Sequence, residues 1–490
     1  MPHVPDRWLQ GQLVIYHHPL DSTLESKRLK NWTLVKGSFS SAKVPAPPLG
    51  LVGQPDPSSL SFGDTTIFEG FAETGRHIQF AGQAGGTSVV ALAMDSTRAM
   101  IFWYADDGGS PDSGGDDPSH IGAAAIVTAT NKTSFAITGI NRLALHEVTR
   151  VRTAYISPSL LESGPTARVV VAFPFLNLDG GGGSISNGRI KVISATGDSL
   201  TAGGHTIFTG GNPTDVACEA LDSQTFLLAW REASNGASFI RAGTASGFSI
   251  SLGSSSNFET NMRGNAKLVR LTSTKALLVY VVTSGLGTGT AYARVIEVSG
   301  STVSIGPRFS FDTTDDIGAA ALSSTKVVII QRTSGGARIA TISGSAVTFG
   351  PKFSHSFAVQ GGGSQQISIS PIGSSQFAAM YGAGGGATTV IGTVAGTSIT
   401  FGPETTAYGP AVAYSAGCVI GVPGASPDVT SASHILMVLS TAPSDNDDRG
   451  RATLSSINYD GELTRTGGGY TSTIGSTKLA YTGWMNRPSD

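Results

Sequence analysis

The 490-residue sequence is short of several things: cysteine, with two residues; charge, at 13% of the chain; and any apolar run long enough to cross a bilayer. Two cysteines, Cys218 and Cys418, in the apolar stretches "DVACEAL" and "SAGCVIGV" exclude a disulfide framework and read as buried free thiols. Lys and Arg form no cluster of the kind that tracks a phosphate backbone, and the formal net charge is −2, so no nucleic-acid partner is expected. Without a long apolar run, no membrane insertion is expected either. The opening residues carry no basic region followed by an apolar one, which predicts no secretory signal and leaves the Asn31 and Asn131 sequons without meaning. The nine histidines, among them His17, His18, His120 and His205, show no metal-ligand spacing. Adjacent His17 and His18 would point to opposite faces of a strand.

Glycine is plentiful at 64 residues, with Ser, Thr, Val and Ile around it, while Ala/Leu/Glu/Lys-rich stretches are missing. That balance predicts an all-β chain. One phrase recurs: "ASGFSISLGS" (245–254), "VSGSTVSIGP" (298–307), "ISGSAVTFGP" (342–351) and "VAGTSITFGP" (394–403). A second lies upstream of it, a Ser-Thr-Lys-like turn and an apolar strand, as in "LTSTKALLVYVV" and "LSSTKVVIIQRT". From Lys275 to Lys326 is 51 residues, and from Lys326 to Gln376 is 50. Each period holds four short alternating strands, the signature of a β-propeller blade. The expected fold is a single propeller of seven or eight four-stranded blades over 50–490, preceded by an N-terminal arm or linker over 1–49. A β-helix is the alternative, but its rungs are usually about half this period. The phrase "LSFGDTTIF" (60–68) echoes "ITFG" and predicts that N-terminal strands complete a C-terminal blade at 470–484, closing the ring.

The wording of the repeats, "IGTVAGTSITFGPETTA" and "ARIATISGSAVTFGPKF", resembles propeller-repeat proteins of bacteriophage tail fibres and other receptor-facing virion components. The resemblance covers residues 210–405 best. It implies a non-enzymatic virion protein, assembled in the bacterial host cytoplasm, that binds a host surface glycan or receptor during attachment. It also implies other virion proteins as partners through the N-terminal arm, and a homo-oligomer in the particle. Two further readings stand beside it: a structural or decoration virion protein using the propeller as a docking platform, and a glycan-degrading propeller enzyme. The Asp-box of sialidase propellers, the Trp-Asp dipeptide and paired kelch glycines at matching blade positions are missing.

No catalytic set stands out, although a carboxylate pair such as Asp107 and Asp316 would suit hydrolysis. For ligand binding, five residues after the turn cation or its equivalent stand Trp103, Phe173, Trp230, Tyr280, Gln331 and Tyr381, with Trp484 one step later. An aromatic at one position of most blades is either a wedge between sheets or a ring of platforms for sugars. On the second reading the candidate ligand-binding residues are Trp103, Tyr104, Asp106, Asp107, Trp230, Arg231, Tyr280 and Tyr381. The acidic stretches at 105–120, 311–316 and 444–450 read as solvated loops, the first being the one expected to reach a ligand. No cofactor is expected. The Ca²⁺ loop begun by Asp445 and Asp447 fails at Arg449 and Ser456.

Overall fold

The computed structural model describes residues 61–62, 66–68, 79–80, 90–106, 120–129, 135–142, 156–178, 184–283, 288–332, 335–357, 367–383, 386–408, 412–420, 434–441 and 450–456. It also describes 463–466, 469–472 and 481–483. The chain divides into two compact units, Pro57–Ile457 and a second made of residues 1–56 with 458–490. Every described element is a strand.

The first unit is a seven-bladed β-propeller. Its innermost strands are Val90–Ala93, Ser157–Glu162, Pro213–Ala220, Met262–Thr272, Ile317–Ser323, Ser368–Gly373 and Val412–Ile420, which begin blades 1 to 7. Each packs on the next in that order, and the seventh returns to the first. Second strands such as Lys275–Val282 are buried on both faces and accordingly read as unbroken apolar runs.

Closure uses N-terminal strands, but the partner differs from the sequence expectation. Ser61–Phe62 pairs with Ser455 and Ser456, and Thr66–Phe68 pairs with Gly450–Ala452, so the N-terminal strands finish blade 7. The 470–484 stretch lies in the other unit, where Leu463–Thr466, Gly469–Ser472 and Tyr481–Gly483 form a three-stranded antiparallel sheet.

The recurring phrase builds the joints between blades. Its turn places Gly197, Gly247, Gly300, Gly344 and Gly396 at positive φ as the first residue of a two-residue hairpin loop, a conformation an L side chain resists. Its second glycine ends the short outer strand. Gly203, Gly253, Gly306, Gly350 and Gly402 each donate their N–H to a third-strand carbonyl at 2.8–2.9 Å. The chain then breaks step, at Pro in three blades, where no ladder donor is needed, and outer strands such as Ser256–Thr260 resume beyond.

The next blade's hairpin lies directly over that glycine. A Cβ at Gly253 would stand 2.1 Å from the carbonyl oxygen of Ser301, and one at Gly350 would stand 2.8 Å from Thr397 Cβ. The cation of the second phrase closes the joint. Arg98 Nη1 and Arg168 Nη2 donate to the carbonyls of Gly197 and Gly247 at 2.9 and 3.1 Å. Lys275 and Lys326 Nζ donate to those of Gly344 and Gly396 at 3.3 and 3.1 Å.

The free edges of the innermost strands are capped by side chains of the preceding blade. Ser157 and Ser159 Oγ accept from the N–H groups of Cys218 and Ala220 at 2.7 and 2.8 Å. Glu219 accepts from Arg270 N–H at 3.2 Å, and Ser370 from Val419 N–H at 3.1 Å. Unpaired strand donors on the axis thus find partners without a further strand.

Candidate functional site

The two ends of the propeller differ. One end carries the tight hairpins and their tethers. The longer connections 107–119, 143–155, 179–183, 358–366 and 442–449 leave from strand ends on the other, the loop face, while 421–433 leaves from the hairpin end.

The aromatic series is a set of wedges. Trp103, Phe173, Trp230, Tyr280 and Tyr381 are at most 2% exposed, and each belongs to the apolar cluster between its own blade and the preceding one. Three are capped edge-on by a Phe of the preceding blade: Phe208 on Trp230 at 5.3 Å, Phe258 on Tyr280 at 5.5 Å and Phe357 on Tyr381 at 5.3 Å. Each polar tip is also satisfied. Trp230 Nε1 donates to Glu232 at 2.8 Å, Tyr280 to Glu259 at 3.0 Å and Tyr381 to Glu404 at 2.7 Å. A ring of sugar platforms at Trp103, Trp230, Tyr280 and Tyr381 is therefore corrected to inter-blade packing: faces pressed on neighbouring sheets are not available to stack on a ligand.

Of the other predicted residues, Arg231 pairs with Asp215 at 2.9 Å. Tyr104 and Asp106 lie in Arg98–Asp106 of blade 1, opposite Gly122 and His120. Asp107 lies outside the described residues, as do residues 1–49, Trp484 and Asp445–Arg449.

Most loop-side ion pairs also follow the repeat. Glu259, six residues after Gly253, meets Arg308 at 2.9 Å and Arg294 at 3.7 Å in blade 4. Asp312, six after Gly306, meets Arg338 at 2.9 Å and Lys352 at 3.3 Å in blade 5. Between blades 5 and 6 the acid changes sides: Glu404 stands where Arg308 and Lys352 stand, and His355 Nε2 meets it at 3.2 Å, with burial lowering the imidazole below its ordinary range although Glu404 opposes. Burial opposes ionisation of Glu259, but hydrogen bonds from Arg308, Thr260 N–H and Tyr280 prevail and hold its carboxyl below the usual range.

Charged groups that most blades lack gather on and beside the innermost strands of blades 3 to 5. Asp215 opens the third, with Arg231 opposite. Asp315 and Asp316 lead into the fifth, where Arg332 Nε donates to Asp315 at 3.2 Å. Asp316 is buried and accepts from Ile317 N–H at 2.7 Å. Burial pushes its carboxyl up to about 6, against the attraction of Lys267 and Arg332. Burial likewise lowers Lys267, with Asp316 opposing. Deeper along the axis, burial raises Glu219 to about 7 although Arg270 N–H and Ser159 hydrogen-bond to it. Of these, sequence reasoning had singled out Asp316 and Arg231 and missed Glu219 and Lys267. Their signal is slight, one charged residue inside the short apolar runs "VACEAL" and "AKLV".

Both cysteines are free and buried, and burial raises Cys218 and takes Cys418 up to about 12. Among the described residues no group of three His, Cys, Asp or Glu side chains is arranged to hold a metal ion.

No protein-family model matches the chain, and no curated protein matches it. Solved structures similar to it include the NanB sialidase of Streptococcus pneumoniae, at 11% identity over 86% of this chain and 72% of that one, with a TM-score of 0.40. A fucose-binding lectin of Aleuria aurantia, solved with α-methyl-L-fucoside, shares 12% identity over 68% of this chain and 98% of its own, with a TM-score of 0.35. A Hadza microbial sialidase shares 10% over 80% and 96%, with a TM-score of 0.39. Likeness at this level assigns no activity and no ligand.

Proposed function

We propose that this chain is a non-enzymatic glycan-binding propeller that holds a surface glycan at the loop-face mouth of blades 3 to 5. The observation that carries this reading is the concentration there of charged groups that the other blades lack: Asp215 with Arg231, Asp315 with Arg332, and Lys267 acting on Asp316. Paired carboxylates and guanidiniums offer fixed acceptors and forked donors, the complement of sugar hydroxyl pairs. The resemblance of the repeats to phage tail-fibre propellers extends the reading to a receptor-facing virion component acting in host attachment, with the N-terminal arm joining it to the particle. The test is a glycan array probed with the full chain and with an Arg332→Ala/Asp315→Asn variant. The reading expects a defined set of bound glycans and at least tenfold weaker binding by the variant; a wild-type chain that binds none overturns it.

One observation favours a second reading. Asp316, a buried carboxyl held partly protonated near pH 6, has the character of a general acid for glycoside cleavage. Release of reducing ends from a glycan that the array identifies, lost in Asp316→Asn, would replace binding by hydrolysis.

A further inference from the structure

The junction between blades 4 and 5 departs from its neighbours. Where blades 3, 4 and 6 carry Trp230, Tyr280 and Tyr381, blade 5 carries Gln331, fully buried, with neither its Oε1 nor its Nε2 hydrogen-bonded. Phe311 stands five residues after Gly306, as Phe208 and Phe258 stand after Gly203 and Gly253. It packs instead on Phe349 at 4.8 Å. The junction therefore has a smaller, polar side chain where the repeat places an aromatic and its cap.

Other buried polar atoms lie close to Gln331 in the strand register. It lies opposite Ile317, whose neighbour Asp316 is 1% exposed and has its Oδ2 unpartnered. Ile329, two residues before Gln331 on the same face, lies opposite Arg338, whose Nε is also buried and unpartnered while its Nη2 holds Asp312 at 2.9 Å. Such diagonal neighbours in a sheet are within side-chain reach. Lys267 of blade 4 adds a positive charge that acts on Asp316. Gln331 is the last residue of Lys326–Gln331, so the group lies at the loop-face end of the junction. Native interiors leave few polar atoms unpaired, and four so close in the strand register need partners.

We propose that this junction is a subsite for a neutral, hydroxyl-bearing sugar residue, one hydroxyl-bearing edge of which enters between blades 4 and 5. The assignment rests on the glycan-binding reading and deepens it. Arg338 Nε, Gln331 Nε2 and Lys267 supply donors; Asp316 Oδ2 and Gln331 Oε1 supply acceptors. Hydroxyls answer both kinds. An anionic ligand would face Asp312 and Asp316, and a cationic one Lys267 and Arg338.

The experiment compares the full chain with Gln331→Tyr, which restores the aromatic of the repeat, and with Gln331→Met, which keeps the volume and removes the amide. Each is titrated with D-galactose, D-mannose, D-glucose, L-fucose and N-acetyl-D-glucosamine by ligand-observed NMR, probed on the glycan array, and melted. The proposal expects wild-type binding to at least one neutral monosaccharide or to a glycan ending in one. It expects at least tenfold weaker binding by both variants, with a melting temperature equal to or above wild type. If Gln331→Tyr does not fold, Gln331→Met decides alone. Unchanged array and monosaccharide binding in the folded variants overturns the subsite and leaves the glycan-binding reading standing. A wild-type chain that binds no glycan removes both.

Discussion

The hairpin end and the loop end of this propeller are built from the same seven blades, yet they use the sequence in opposite ways. At the hairpin end the residues recur: a left-handed glycine, a neighbour lying over the kink glycine of the preceding blade, and a Lys or Arg reaching the exposed carbonyl. At the loop end the pattern holds through the Glu259 and Asp312 clusters and then gives way near the axis, where Lys267 and Gln331 have no counterparts of like chemistry and Asp316 is matched only by Asp215 of blade 3. Repetition specifies joints; departures from it mark where chemistry other than assembly is placed.

The comparison is broken most severely at a kink glycine. Gly253→Val forces a side chain onto the backbone of Ser301, and should cost about 3 kcal/mol or more, read as a lower urea midpoint. Next comes Phe258→Ala, which uncaps Tyr280 and leaves a cavity between blades 3 and 4; about 3 kcal/mol is expected by the same measurement.

A smaller effect separates axis from rim. Glu219 and Asp316 bind protons more tightly folded than unfolded, so their contribution is fully present below their ordinary pKa values of 4.5 and 3.8. It is lost as pH rises towards about 7 and about 6. The melting temperature should fall on the order of a few °C across this window. The slope should flatten in Glu219→Gln/Asp316→Asn; an unchanged slope would remove these groups from the account. Smallest is Lys326→Met, which removes one exposed tether and should cost about 0.5 kcal/mol or less, seen as a barely shifted melt.

Much of the architecture was legible because it is repeated. The period, the strands and the closing role of "LSFGDTTIF" all came from matching phrases. Its partner did not, because the seventh blade has lost the wording and Gly450–Ser456 resembles no other third strand. The aromatic series was found in position and left open in role. Deciding it needed Phe208, Phe258 and Phe357, which come from the preceding blade and whose meeting with Trp230, Tyr280 and Tyr381 exists only once the sheets are stacked. Glu219 and Lys267 were invisible for a related reason. A charged residue among apolar neighbours acquires meaning from the strand beside it, here Arg270 for Glu219 and Asp316 for Lys267.

The central claim is that the repeats assemble the propeller and the exceptions at the loop-face mouth bind. Measuring glycan affinity in Arg332→Ala/Asp315→Asn beside Lys326→Met tests it most directly, since the first alters the loop face and the second the hairpin end. The account predicts at least tenfold weaker binding in the first and wild-type affinity in the second. Equal losses in both, or a loss confined to Lys326→Met, would contradict it.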